Sequence, residues 1–127
     1  MELDDETVEA AATRAEIAVV VIGRAAGEDR ENVLEPGSYY LTQTERLLLE
    51  RVTARFERTV VVVDSGNVMD LSWAEGPGVS ALLLAWPGGM EGARAVAEVL
   101  RGAVEPGARD GQGRQDRGED PPGQTRL

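Results

Sequence analysis

Ile17-Ala18-Val19-Val20-Val21-Ile22 is the stretch on which the fold of this chain turns. It is unbroken by any polar residue, and all but Ala18 are β-branched. A strand wet on one face alternates polar and apolar residues. A continuous apolar run suits a parallel strand covered on both faces. Thr59-Val60-Val61-Val62-Val63 reads as a second buried-type strand, and Val79 to Trp86, built on Ala81-Leu82-Leu83-Leu84-Ala85, as a third strand.

Helical patterns separate these strands. Thr42-Gln43-Thr44-Glu45 is a capping box, in which side chain and backbone at the two ends satisfy each other's free groups. The helix it opens carries Leu48, Val52 and Phe56 on one face with Leu47 beside them, and ends at Glu57-Arg58. Upstream, Asp4 or Asp5 can cap a short helix to about Ala15, with Val8, Ala11, Ala12 and Ala15 on one side. Val68 to Trp73 reads as a short helical segment. Met90 to Arg101 reads as a third helix, with Ala93, Val96, Ala97 and Leu100 as its buried stripe. Strands that alternate with helices imply a parallel sheet joined by crossovers. The expected fold is α/β: a three-layer α/β/α sandwich around a short, mainly parallel sheet, and only part of a domain. The polar turns after Ile22, Val63 and Trp86 then share the carboxyl edge, where open α/β sheets place their ligand chemistry. Asn67 and Trp86 belong to that edge. So does Gly27-Glu28-Asp29-Arg30-Glu31-Asn32, inside the long connection from Gly23 to Leu41.

Composition removes most chemistries. A net charge of −10 argues against nucleic acid and against an anionic membrane surface as partners. The chain has no cysteine and no histidine, so the thiol nucleophile, the commonest general base and the usual zinc ligands are missing. All 13 basic residues are arginine. A receiver-type phosphorylation site at Asp64 would need a lysine. Gly23-Arg24-Ala25-Ala26-Gly27 matches neither common phosphate-binding loop. Glu28, Asp29 and Glu31, as neighbouring carboxylates in one loop, are a weak magnesium signal. No metal and no cofactor are expected. The start, Met1-Glu2-Leu3-Asp4-Asp5-Glu6, is acidic and lacks a leader's apolar core, which points to the cytoplasm. From Ala108 to Leu127 only those two end residues are apolar, so residues 107–127 are expected to be a disordered tail to a domain spanning 1–106.

Carboxylate chemistry survives this elimination. A glutamate serves as general acid when its surroundings lift its pKa from about 4.3 toward about 6. Asp29 and Glu31 act on Glu28 in that direction, and Arg30 acts against it. On composition alone, a solvated polar loop is the simpler reading of this cluster. Core packing or a rim contact is the simpler reading of Trp73 and Trp86, and a turn that of Asn67.

Taken together, several segments resemble glycoside hydrolase family 3, the β-glucosidase family, in its carboxy-terminal α/β sandwich domain. They are Ala18 to Asn32, Gly37-Ser38-Tyr39-Tyr40-Leu41-Thr42, Val60 to Val63 with Gly66-Asn67, and Ala85-Trp86 with Gly88-Gly89-Met90-Glu91-Gly92. The resemblance covers about Leu3 to Pro106. It implies a retaining hydrolase of β-glucosides or oligosaccharides whose aspartate nucleophile sits on a (β/α)8 barrel absent from this chain. It assigns the proton donor to Glu28, gives Asp29 and Arg30 a part in shaping the loop, and sets Trp86 against the sugar. The chain would then be a truncated piece, inactive alone, and the change of composition near Gly107 would mark a shifted reading frame. Asp64-Ser65 and Pro87 depart from the family pattern. The alternative is a non-catalytic α/β module that binds a ligand or partner through the same edge.

Overall fold

The computed structural model describes residues 4–24 and 33–106. Its contacts divide the chain into two compact units, Met1–Gly92 and Ala93–Leu127. The first holds helix α1 (Asp5–Ala12), strand β1 (Ile17–Gly23), helix α2 (Gln43–Thr53), strand β2 (Arg58–Asp64) and strand β3 (Val79–Ala85). Helix α3 runs Gly92–Leu100.

The three strands form one parallel sheet in the order β1-β2-β3. Val20 pairs with Val61 and Val61 with Leu82, so these residues share a face. At the carboxyl edge Gly23 pairs with Asp64 and Asp64 with Ala85. The expectation of a parallel sheet with its three turns gathered at one edge holds.

Burial is more one-sided than the apolar runs suggest. Val20, Ile22, Val61 and Val63 join Val8 of α1 and Leu49 and Val52 of α2 in a single core. On the other face of β1, Ile17, Val19 and Val21 are exposed, Val21 by 63%. Only β2, with a strand on each side, buries consecutive residues, Val61 to Val63. The expectation that β1 is covered on both faces is therefore corrected, while β2 is the buried strand its sequence suggests. An edge strand has one lateral neighbour, and helices α1 and α2 cover only the Val20 and Val61 face.

The helices form where their caps allow. Asp4 accepts the Thr7 N–H at 2.8 Å to start α1, which stops at Ala12 rather than Ala15 and buries only Val8. In α2 both halves of the capping box form. Its apolar stripe is rotated from the expected one. Leu49 and Val52 are buried, Leu48 and Phe56 pack against the core from its margin, and Leu47 is exposed. Residues 68–71 are not helical; a single 3₁₀ turn forms at Ser72–Glu75 instead. The Asp70 N–H is spent on the Tyr39 carbonyl at 2.8 Å, and the Asp70 carboxylate accepts from Ser72. That draws the chain out before the turn starts. In α3, Val96 of the expected stripe is half-buried together with Val99, while Ala93, Ala97 and Leu100 are exposed. Among the described residues the second unit contains no other helix or strand to bury them. The helix ends in a Schellman motif: Ala103 N–H donates to Glu98 O, Gly102 N–H donates to Val99 O, and Gly102 has φ +72°. Among the described residues, no helix is long and apolar enough to cross a membrane.

Two positions in this frame give expected outcomes. Gly78, before β3, has φ +111°, and a Cβ there would lie 2.7 Å from the Thr53 Cβ at the end of α2. Gly78→Ala combines a disfavoured backbone with a clash, and should lower unfolding free energy by about 1–3 kcal/mol in a urea titration. Thr59 is fully buried, and its hydroxyl has no hydrogen-bond partner among the described residues. Thr59→Val removes that polar group at nearly constant shape, and should raise stability by about 1 kcal/mol in the same titration.

Candidate functional site

The chain leaves β1 through Arg24, whose backbone N–H donates to Asp64 O at 2.9 Å and so continues the β1–β2 ladder. The Arg24 side chain folds back under the edge, with 8% of its surface exposed. Its Nη2 donates to Glu45 Oε2 at 2.8 Å and to Tyr40 O at 3.3 Å. Its Nη1 donates to Glu45 Oε1 and, at 3.0 Å, to Gly23 O. Its Nε donates to Ser38 O at 3.4 Å. A guanidinium has five N–H groups, and here each has an acceptor. This cation is therefore fully committed inside the protein and has no donor left for an anionic ligand.

Glu45 closes the cluster from α2. Besides Arg24 it accepts the Thr42 N–H at 2.8 Å, while the Thr42 hydroxyl accepts the Glu45 N–H at 3.2 Å. Burial works to raise the Glu45 pKa. The Arg24 hydrogen bonds, the Thr42 N–H and the Arg24 charge outweigh it and hold the carboxyl below its ordinary value. The segment between these anchors, from Val33 to Leu41, turns tightly. Gly37 has φ +87°, Gly37 N–H donates to Tyr40 O, and Tyr40 N–H donates to Glu35 O. The Tyr39 and Tyr40 rings meet edge to face at 4.9 Å, and Leu41 plugs the core. Through Tyr39 O and Asp70 N–H this segment is tied to the connection after β2.

The residues singled out from the sequence fare differently. Glu28, Asp29 and Arg30 lie outside the described residues, as does Glu31. Trp86, directly after β3, is 62% exposed. It lines a pocket of about 230 Å³ together with Val63, Met69, Leu71, Leu84 and others. That lining is mostly apolar. The Ser65 hydroxyl there is already engaged, donating to Asn67 O at 3.0 Å and accepting Asn67 N–H at 3.1 Å. Asn67 thus takes part in a local turn through its backbone. Trp73 packs on the core margin, and its indole N–H donates to Asp70 O at 2.7 Å. Among the described residues, no group of three or more carboxylates is placed to hold a metal ion.

Sequence reasoning passed over Arg24. Its only signal was position: an arginine directly after a buried strand, ahead of a helix whose capping glutamate has a second oxygen to share. Glu45 was legible as a cap but not as a partner of Arg24, because the two are 21 residues apart.

Comparison with known proteins places this arrangement. Residues 2–120 match the glycosyl hydrolase family 3 C-terminal domain. A β-glucosidase of Ruminococcus albus is 38% identical over 106 residues, covering 84% of this chain and 11% of the relative. β-Glucosidase A of Butyrivibrio fibrisolvens is 31% identical over 127 residues, covering 82% of this chain and 15% of the relative. Among solved structures, a β-glucosidase from Paenibacillus barengoltzii superposes with a TM-score of 0.78 at 44% identity, over 82% of this chain and 12% of that one. β-Glucosidase 3B from Thermotoga neapolitana, solved in complex with glucose, superposes at 0.73 with 31% identity, over 80% of this chain and 15% of that one. The chain thus spans about 11–15% of the length of these relatives.

Proposed function

The chain belongs to glycosyl hydrolase family 3, as a C-terminal domain, and from that premise we propose that it carries the acid/base carboxylate of a retaining β-glucosidase, Glu28. The observation that carries this reading is the family match, which runs through Glu28, to relatives that are β-glucosidases. The frame around residues 25–32 supports it. The connection that holds them leaves and rejoins the carboxyl edge of a parallel sheet, and both sides are anchored by hydrogen bonds from the buried Arg24 side chain.

In this reading the substrate is a β-glucoside or a β-linked oligosaccharide. The Glu28 carboxyl donates its proton to the glycosidic oxygen as an aspartate attacks the anomeric carbon and the C–O bond breaks. The Glu28 carboxylate then takes a proton from the water that releases the sugar from that aspartate. Retention requires the two carboxyl groups about 5–5.5 Å apart. The aspartate belongs to a (β/α)8 barrel outside this chain, so the chain alone is inactive. Asp29 and Arg30 shape the loop, and the exposed indole of Trp86 offers a face to the substrate.

The test is reconstitution. The purified chain should not hydrolyse an alkyl β-glucoside, whose leaving group must be protonated. Co-expression with a family 3 barrel domain should produce activity, and Glu28→Gln should remove it. Activity that survives Glu28→Gln, or fails to appear with any barrel, would refute the reading. The second reading, a non-catalytic binding module, has the apolar pocket at Trp86 in its favour. It predicts a folded chain that takes up an apolar ligand at that pocket and gains no activity from any barrel.

A further inference from the structure

We propose that Arg24 is the positioning residue for the proton donor. This rests on the reading of Glu28 as that donor. Its own observation is independent: one buried guanidinium bonds to backbone on both sides of residues 25–32. On the near side it holds Gly23 O at 3.0 Å. On the far side it holds Ser38 O at 3.4 Å, Tyr40 O at 3.3 Å and the Glu45 carboxylate at the start of α2. The points where the connection leaves the sheet and where it comes back are fixed to the same rigid, planar group.

Proton transfer in the transition state is sensitive to such fixing. A donor must come within hydrogen-bond reach of the leaving oxygen, and a misplacement of about 1 Å costs on the order of 10²-fold in rate. Arg24 is saturated with internal acceptors, so it has no donor for substrate and its effect passes through the loop. Lysine does not replace it. An ammonium offers three donors without the planar fork, so at least two of the five bonds are lost while the charge facing Glu45 is kept.

Two measurements test the proposal, with Arg24→Lys and Arg24→Met as variants. The first is hydrogen exchange on the full 127-residue chain, without any substrate. Amides of residues 33–41 should exchange faster in both variants while those of β2 keep wild-type protection. Unchanged exchange at 33–41 in a folded Arg24→Lys chain, or an equal rise across all three strands, would overturn it. The second is a double-mutant cycle with Glu28→Gln in the chain reconstituted with a family 3 barrel. Each Arg24 variant should lower kcat/KM for an alkyl β-glucoside by about 10–10²-fold. For a dinitrophenyl β-glucoside, whose leaving group needs little protonation, the change should be less than about threefold. In the Glu28→Gln background the Arg24 variants should add no further loss on the alkyl substrate. Equal losses on both substrates, or full additivity in the cycle, would overturn positioning. Wild-type activity in Glu28→Gln alone would overturn the assignment of the donor instead, and the exchange data would still judge the clamp.

Discussion

In the reconstituted enzyme, Glu28→Gln is expected to slow hydrolysis of an alkyl β-glucoside by about 10²–10⁴-fold. An alkoxide is a poor leaving group and must be protonated as the C–O bond breaks. Glutamine keeps the size of the side chain but carries no transferable proton. With a dinitrophenyl aglycone the first step should be nearly spared, since that anion leaves unaided. Release of the sugar from the aspartate still needs a base to activate water, so the glycosyl-enzyme should accumulate and appear as a burst of phenol. Azide attacks without base assistance. It should therefore restore turnover of the dinitrophenyl substrate and yield the β-glucosyl azide. A uniform loss across leaving groups with no azide rescue would show that Glu28 is not the acid/base.

Glu45→Gln is expected to destabilise the chain by about 3 kcal/mol, measured by urea denaturation at pH 7. The substitution leaves the Arg24 guanidinium, 8% exposed, without its counter-charge. That loss exceeds the roughly 1 kcal/mol typical of a broken cap. Thr42→Ala, which removes the cap hydroxyl but keeps the ion pair, is the smaller control. A second readout follows from the direction of the Glu45 pKa. The carboxyl is held lower in the folded chain than its ordinary 4.5. Its contribution is complete above that ordinary value, and is lost as pH falls through the lower folded value. Wild-type stability should therefore fall with acid below about pH 4.5 more steeply than that of Glu45→Gln. A Glu45→Gln chain of wild-type stability would mean that the pair does not hold the edge together.

The pair also marks the boundary between what can be read along the chain and what cannot. Val20 and Val61 announce buried strands by themselves, because a continuous apolar run has few other uses. The order of strands and helices then makes a parallel sheet, and a parallel sheet aligns Gly23, Asp64 and Ala85 at one edge. Thr42 and Glu45 announce a helix start because capping acts over three residues. What stayed hidden was whatever depends on distant neighbours. The apolar run of β1 does not reveal that Val19 and Val21 stay exposed, since that depends on what lies against each face. Residues 68–71 carry a plausible helical pattern, but Asp70 commits its N–H to Tyr39, a residue of another connection.

The sequence by itself determined the parallel α/β frame, the edge that gathers the chain's polar connections, and the family in which Glu28 becomes the candidate donor. Those rest on local periodicity, capping and motif order, which are written in consecutive residues. The tertiary structure decided that Arg24, a residue with no motif of its own, holds that edge. Its five acceptors come from Gly23, Ser38, Tyr40 and Glu45. Only folding brings those groups within 3.4 Å of one guanidinium, because hydrogen bonding is set by distance in space and not by separation along the chain.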